Sequence, residues 1–116
     1  MARPYSQQFE DISLVSNLFC DVCHHHRAYL EIGALDGKKY SNTFMLEQSW
    51  NWGGVLIEGL PANAQLLIAH RGKSGRNVIF NEAICETPVT VEFTNHPDSG
   101  TAGVKATMTP EYLQSW

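Results

Sequence analysis

The chain predicts an α/β fold built on an open, mostly parallel sheet, and three features carry that prediction. Between Tyr29 and Ile84, short β-type apolar runs alternate with longer helix-type stretches, the pattern of parallel strands joined by helical crossovers. The first run passes into Glu31-Ile32-Gly33-Ala34-Leu35-Asp36-Gly37, a glycine-bearing turn ahead of a helix start. Carboxylates mark the ends of the first three runs, at Glu31, Glu58 and Glu82. Ligands of open parallel sheets bind outside the carboxyl ends of adjacent strands.

Each element has its own local reason. From Gln7 to Cys23 the apolar residues Phe9, Ile12, Val15, Leu18, Phe19 and Val22 recur at helical spacing, with Gln8, Asp11, Ser13 and Asn17 largely elsewhere on the wheel. This reads as an amphipathic helix, so residues 1–27 form a lead-in and residues 28–116 the sheet-bearing domain. The first strand is Tyr29 to Ala34. A helix over Asn42 to Trp50 follows, with Ser41 as its N-cap, and Asn51-Trp52-Gly53-Gly54 breaks it. Val55-Leu56-Ile57 is the core of a second strand, Gly54 to Glu58. Pro61 suits the first turn of a helix over Pro61 to His70, and Gly72 suits its stop. A third strand spans Asn77 to Ile84, and Thr87-Pro88 turns the chain. Val89, Val91 and Phe93 alternate with Thr90, Glu92 and Thr94, which predicts a fourth, half-buried strand. Beyond Asn95 the composition is that of a loop, and Pro110 to Trp116 begins another helix.

Bulk properties narrow the function. At 116 residues the chain is at most one domain. A net charge of -4 and the lack of a basic, aromatic-interleaved patch argue against a nucleic-acid surface. No run approaches the ~18 apolar residues of a membrane helix, and Met1-Ala2-Arg3-Pro4-Tyr5 carries no signal-peptide core. Three cysteines are an odd, unpatterned set, so a reducing, cytoplasmic setting is the default expectation.

The candidate site lies on the glycine-bearing turn. Gly33 lets backbone approach a ligand closely, and the following helix start offers free N–H groups. Glu31 would repel a pyrophosphate but welcome a cation, such as the amino acid part of S-adenosylmethionine. Glu58 follows Gly37 at nearly the spacing of about 20 residues expected of a ribose-binding carboxylate. Glu82, followed by Ala83-Ile84, can accept from an adenine amine. A nicotinamide oxidoreductase is disfavoured by Glu31, and by Leu35 in the middle-glycine position of G-x-G-x-x-G. Cys20-Asp21-Val22-Cys23-His24 has the haem-attachment pattern, but no export signal accompanies it. Zinc on Cys20, Cys23 and a histidine of the 24–26 run lacks a second ligand pair; helix-end cysteines beside a solvated histidine run are the plainer reading. Trp50 and Trp52 read as core, and His70 and His96 as surface residues.

Glu31-Ile-Gly-Ala-Leu-Asp-Gly37, Tyr40-Ser-Asn-Thr43, Glu47 and Trp52-Gly-Gly-Val-Leu-Ile-Glu58 together resemble the FkbM-type methyltransferases. Tyr5-Ser6-Gln7, Glu10-Asp11, Asn81-Glu82-Ala83-Ile84 and Val89 to Phe93 extend the resemblance over most of the chain. It implies a Rossmann-like, S-adenosylmethionine-dependent fold acting on hydroxyl groups of sugars or small natural products. Carried over by position, Glu31, Gly33, Ala34, Asp36 and Gly37 belong to the donor loop, Glu58 to the ribose contact and Glu82 to the adenine contact. The family's sheet continues beyond the roughly four strands legible here, and the missing strands carry the acceptor side. The expectation is therefore a cofactor-binding N-terminal part, a fragment or degenerate relative that does not turn over by itself. Its catalytic base is unassigned and its methyl acceptor is an unidentified small molecule. A non-catalytic Rossmann-like interaction module is the alternative.

Overall fold

Three parallel strands, β1 (Ala28–Ile32), β2 (Gly53–Ile57) and β3 (Asn77–Phe80), pair in the order β1-β2-β3. This computed structural model describes residues 4–19, 27–94 and 102–114. Helix α1 (Glu10–Leu18) precedes the sheet, α2 (Phe44–Trp50) and α3 (Pro61–Arg71) are its crossovers, and α4 (Pro110–Gln114) ends the described chain. The sheet is thus α/β, open and parallel, a small version of the expected architecture.

Register explains the two faces. Tyr29, Glu31, Leu56, Asn77 and Ile79 alternate onto one side, where Leu56 is buried with Ala34 and with Leu67 of α3. Full burial of a leucine is worth about 1.5–3 kcal/mol. The other side carries Leu30–Val55–Val78 and Ile32–Ile57–Phe80 as two apolar rows. It is left open, with Leu30 63%, Ile32 61% and Val78 56% exposed. Parallel sheets are normally covered on both faces, so this one is covered on half.

Pro61 opens α3 as expected. The α-helix ends at Arg71 with Gly72 as its C-cap, as expected, but Gly72 keeps a right-handed φ of −69° and the chain runs on through a 3₁₀ turn, Gly72–Ser74, to Gly75 at φ 69°. Gly75 supplies the left-handed conformation that commonly follows a helix. Helix α2 starts at Phe44 with Thr43 at its N-cap, not at Asn42 with Ser41 as expected; the Ser41 Oγ accepts from Thr43 N (3.3 Å) and Phe44 N (3.1 Å) just ahead of the helix.

Three further expectations need correction. Asp11, assigned to the solvent side, is the buried residue of α1, whereas Phe9 and Leu18 are exposed. Its carboxylate accepts from Tyr5 N, Ser6 N, Ser6 Oγ and Ile12 N, so it ties the N-terminal turn together. Burial raises its pKa, but those hydrogen bonds outweigh burial and hold it below the ordinary aspartate value. The third strand ends at Phe80, not Ile84. Val89 to Phe93 is no fourth strand: Phe93 makes one isolated antiparallel bridge to Val104. Alternation marks a half-buried segment without providing a partner, and here the partner is a later loop, through Lys105 N to Glu92 O (2.7 Å) and Thr94 N to Gly103 O (3.0 Å). The lead-in packs beside α2, with Tyr5 edge-on to Phe44 and Phe19 edge-on to Trp52. Among the described residues no helix is long and apolar enough to cross a membrane.

Candidate functional site

The loop after β1 hooks onto β2: Gly33 N and Ala34 N both donate to Ile57 O, at 2.8 and 3.0 Å. It contains four left-handed residues, Gly33 (φ 75°), Leu35 (51°), Gly37 (81°) and Tyr40 (61°). For Leu35 and Tyr40 that conformation costs about 1 kcal/mol or more each. Leu35, at the middle-glycine position, thus adopts the backbone that glycine would. Its N–H donates to Glu58 Oε2 at 2.8 Å, and Asp36 Oδ1 accepts from Lys38 N and Lys39 N. The two glycines do different work. A Cβ on Gly33 would meet nothing within 4 Å, whereas one on Gly37 would lie 2.6 Å from Leu67 Cδ1 and 2.9 Å from Arg71 Cδ.

In front of Gly33 a cleft of about 360 Å³ lies outside the ends of β1 and β2, walled by Leu35, Glu58, Glu82, Ala83 and Phe93 among others. Glu58, buried at its rim, accepts from Leu35 N and, through Oε1, from Leu60 N at 2.8 Å. Two hydrogen bonds leave acceptor positions on a carboxylate, which has about four. Exposed Glu82 lies two residues past β3 and borders the cleft. A larger cavity of about 920 Å³, between Pro61 and the 85–93 segment, adjoins it and shares Gly59, Glu82, Ala83 and Phe93. The smaller cleft is the one at the strand ends, where open parallel sheets bind ligands.

Behind the loop lies a buried polar cluster around Arg71, which has no exposed surface. Its Nε donates to Glu47 Oε2 at 2.7 Å, Nη2 to the Tyr29 hydroxyl at 2.7 Å, and Nη1 to Thr43 Oγ1 and Ser41 Oγ. Nη1 also reaches Gly37 O (3.3 Å) and Glu31 Oε2 (3.4 Å). Asn77 Nδ2 adds a bond to Glu47. Burial pushes the Glu47 pKa up, but the bonds from Asn77 and Arg71 and the Arg71 charge outweigh it, and the net shift is downward. Burial likewise pushes the Tyr29 phenol up, further from ionisation.

This cluster changes the meaning of Glu31. Its carboxylate already accepts from Ser41 Oγ, Asn42 N, Thr43 Oγ1 and Arg71. It lies on the helix-covered face of β1, where it fastens the strand to the start of α2, not beside the open space at Gly33. Ala34 is core, Gly37 is the point where α3 comes close, and Asp36 holds its own turn. Of the seven expected residues, Gly33, Glu58 and Glu82 meet at the cleft, and Glu31, Ala34, Asp36 and Gly37 support it from behind.

Sequence reasoning missed Tyr29, Arg71 and Asn77 as a set with Glu47. One signal was available: Ala64, Leu67 and Arg71 share a helical stripe, which puts the arginine on the buried side of α3. Trp52 is buried as expected, with Trp50 tilted against it at 6.2 Å. His70 is exposed but bonded, its Nδ1 2.7 Å from Asp36 O. Cys20, Cys23, His24 and His96 lie outside the described residues. Among those described, no group of three or more His, Cys, Asp or Glu could hold a metal ion.

Fold and site together define an α/β protein with a three-stranded parallel sheet and a ligand-sized cleft at the strand ends, compatible with part of a Rossmann-like domain. No protein-family model, no curated protein and no solved structure matches the chain.

Proposed function

We propose that this chain is the donor-binding part of an S-adenosylmethionine-dependent methyltransferase, of the kind that methylates a hydroxyl of a sugar or small natural product. The supporting observation is the pairing of an unobstructed left-handed Gly33 with the buried Glu58 across one cleft at the ends of β1 and β2. The residues fit the group. Space stands open where any side chain on residue 33 would project, and Glu58 retains acceptor capacity for two ribose hydroxyls. Glu82 at the mouth accepts from the adenine amine, and Leu35, Ala83 and Phe93 give the cleft apolar walls. Bound S-adenosylmethionine supplies an electrophilic methyl group. The protein's contribution is chiefly to hold donor and acceptor in register. Glu31 is a positioning residue that fixes the loop and the start of α2.

A non-catalytic interaction module is the second reading, favoured by the open apolar face of Leu30, Ile32, Val78 and Phe80.

Calorimetry with S-adenosylhomocysteine separates the two. Glu58→Gln keeps the shape of the side chain and removes its charge. Binding to wild type and a roughly tenfold or greater loss in the variant are expected, because bonds to a charged acceptor are worth about 1.5–3 kcal/mol. A folded wild type that does not bind rejects the donor site; equal binding by the variant rejects the ribose contact.

A further inference from the structure

We propose that the open face of the sheet docks on a second copy of this chain, face to face and with the strands of the two copies running in opposite directions. The contact stands on the sheet alone and does not depend on the donor site.

The docking surface is uniform in chemistry. Leu30, Val55 and Val78 form one outward row and Ile32, Ile57 and Phe80 the next, with no polar side chain at any of these positions. Leu30, Ile32, Val78 and Phe80 are exposed, while Leu56 on the opposite side of the same strands is fully buried. Apolar surface of this kind is unfavourable in water, and a parallel sheet is ordinarily covered on both faces.

Area and charge decide what covers it. A fully exposed aliphatic or aromatic side chain offers on the order of 100–200 Å². At the exposures found here, the two rows present roughly 400 Å² of apolar surface in one patch. Interfaces are about 56–65% apolar, so a contact centred on this patch buries roughly 650 Å² per copy and about 1,300 Å² in all. That total falls at the lower end of the range of about 1,200–2,000 Å² for specific interfaces. It suits a reversible dimer of micromolar or weaker affinity. Identical chains of net charge -4 repel one another unless they meet through uncharged surface. A twofold contact sets each patch against its own image, and the centre of this one carries no charge.

The rim fixes the direction. Arg27 immediately precedes β1, Arg76 immediately precedes β3, and Glu82 lies two residues past β3; all three are exposed. Arg76 also reaches Glu47 at 3.7 Å. Stacking the copies with strands parallel would lay arginine ends over arginine ends. Reversal lays the arginine end of one copy over the Glu82 end of the other, the complementary choice. With the twofold axis between the two rows, Val78 then meets Phe80 of the second copy, Val55 meets Ile57, and Leu30 meets Ile32. Sheets packed in this way lie about 10 Å apart with their side chains interdigitated.

Sedimentation velocity of the whole chain from about 10 μM to 2 mM, a span that brackets micromolar and weaker affinities, tests the dimer. The sedimentation coefficient should rise from the monomer value toward that of a dimer. Leu30→Gln and Val78→Asp each put a polar group into the apolar rows and should weaken association roughly tenfold or more. Both positions are exposed in the single chain, so circular dichroism should show the fold intact in at least one of them. Leu66→Gln, at an exposed position of α3, should leave association unchanged. Isotope-filtered nuclear Overhauser spectra of mixed labelled and unlabelled chain should join Val78 methyls to the Phe80 ring and Leu30 methyls to those of Ile32 across the two copies. A monomer throughout the concentration range overturns the proposal, as does association that folded Leu30→Gln or Val78→Asp leaves unchanged. Contacts between copies that join Leu30 to Val78 instead would overturn the reversed arrangement.

Discussion

Arg71→Met is the sharpest perturbation of this fold. The guanidinium has no exposed surface and joins β1 through Tyr29, the loop through Gly37, the start of α2 through Ser41 and Thr43, and α2 itself through Glu47. Methionine fills comparable volume but leaves the buried Glu47 carboxylate without its closest cation. Removing one partner of a buried ion pair costs about 3–5 kcal/mol. Ser41, Thr43 and Gly37 O lose a donor as well, which places the expected loss at the upper end of that range. Small domains are stable by about 5–15 kcal/mol in total, so the variant should be close to unfolding. Urea denaturation followed by tryptophan fluorescence measures this, with Glu47→Leu and the double variant completing a cycle. The double variant should recover much of the loss, because well-packed apolar groups replace a buried ion pair at little cost. A loss below about 1 kcal/mol for Arg71→Met, or no coupling in the cycle, would refute the cluster's role.

Other expectations follow from the same contacts. Glu47 and Asp11 both have pKa values held below the ordinary 4.5 and 3.8. Their contribution to stability is therefore complete above those unfolded-state values and is lost as pH falls through the lower folded-state ones; a urea midpoint that stays level from about pH 5 to 2 would contradict this. The two sheet faces should answer oppositely to truncation. Leu56→Ala should cost about 2–5 kcal/mol and Leu30→Ala under about 1 kcal/mol, and equal losses in denaturation would mean that the Leu30 face is covered. Gly37→Ala combines a left-handed backbone with a 2.6 Å approach to Leu67 and should lower stability by about 2 kcal/mol or more. Gly33→Ala meets only the backbone penalty of about 1 kcal/mol, so a thermal melt should rank Gly37→Ala well below it.

The alternation of strands and helices was legible because each apolar run is short and bounded by glycine, proline or asparagine. Pro61 announced a helix start through chemistry that is local in sequence; Ser41 marked one two residues early, since Thr43 takes the N-cap of α2. Val89 to Phe93 failed as a strand because alternation does not supply a neighbouring strand: Val91 and Phe93 are only partly buried and Val89 is 62% exposed. Glu58 and Gly33 were readable from their place at strand ends. Glu31 carried the same signature but the opposite surroundings: its donors are Ser41, Asn42, Thr43 and Arg71, and Arg71 is distant in sequence. A strand-end carboxylate does not reveal which face its side chain takes. The Arg71 cluster is a product of tertiary packing, and only the Ala64-Leu67-Arg71 stripe hinted at it. Asp11 inverted the amphipathic reading of α1 because four local hydrogen-bond donors make burying a carboxylate favourable.

The most direct test of the donor site is amide chemical-shift mapping with S-adenosylhomocysteine added to the whole chain. The structure and proposed function predict saturable shifts centred on Ile32, Gly33, Leu35, Glu58 and Gly59 and on Glu82 to Ile84, the residues around the 360 Å³ cleft. The Leu30–Val55–Val78 row of the open face, away from the cleft, should stay unperturbed. No shift at millimolar ligand, or shifts confined to the Leu30–Val55–Val78 row, would contradict the assignment of the Gly33–Glu58 cleft to a methyl donor.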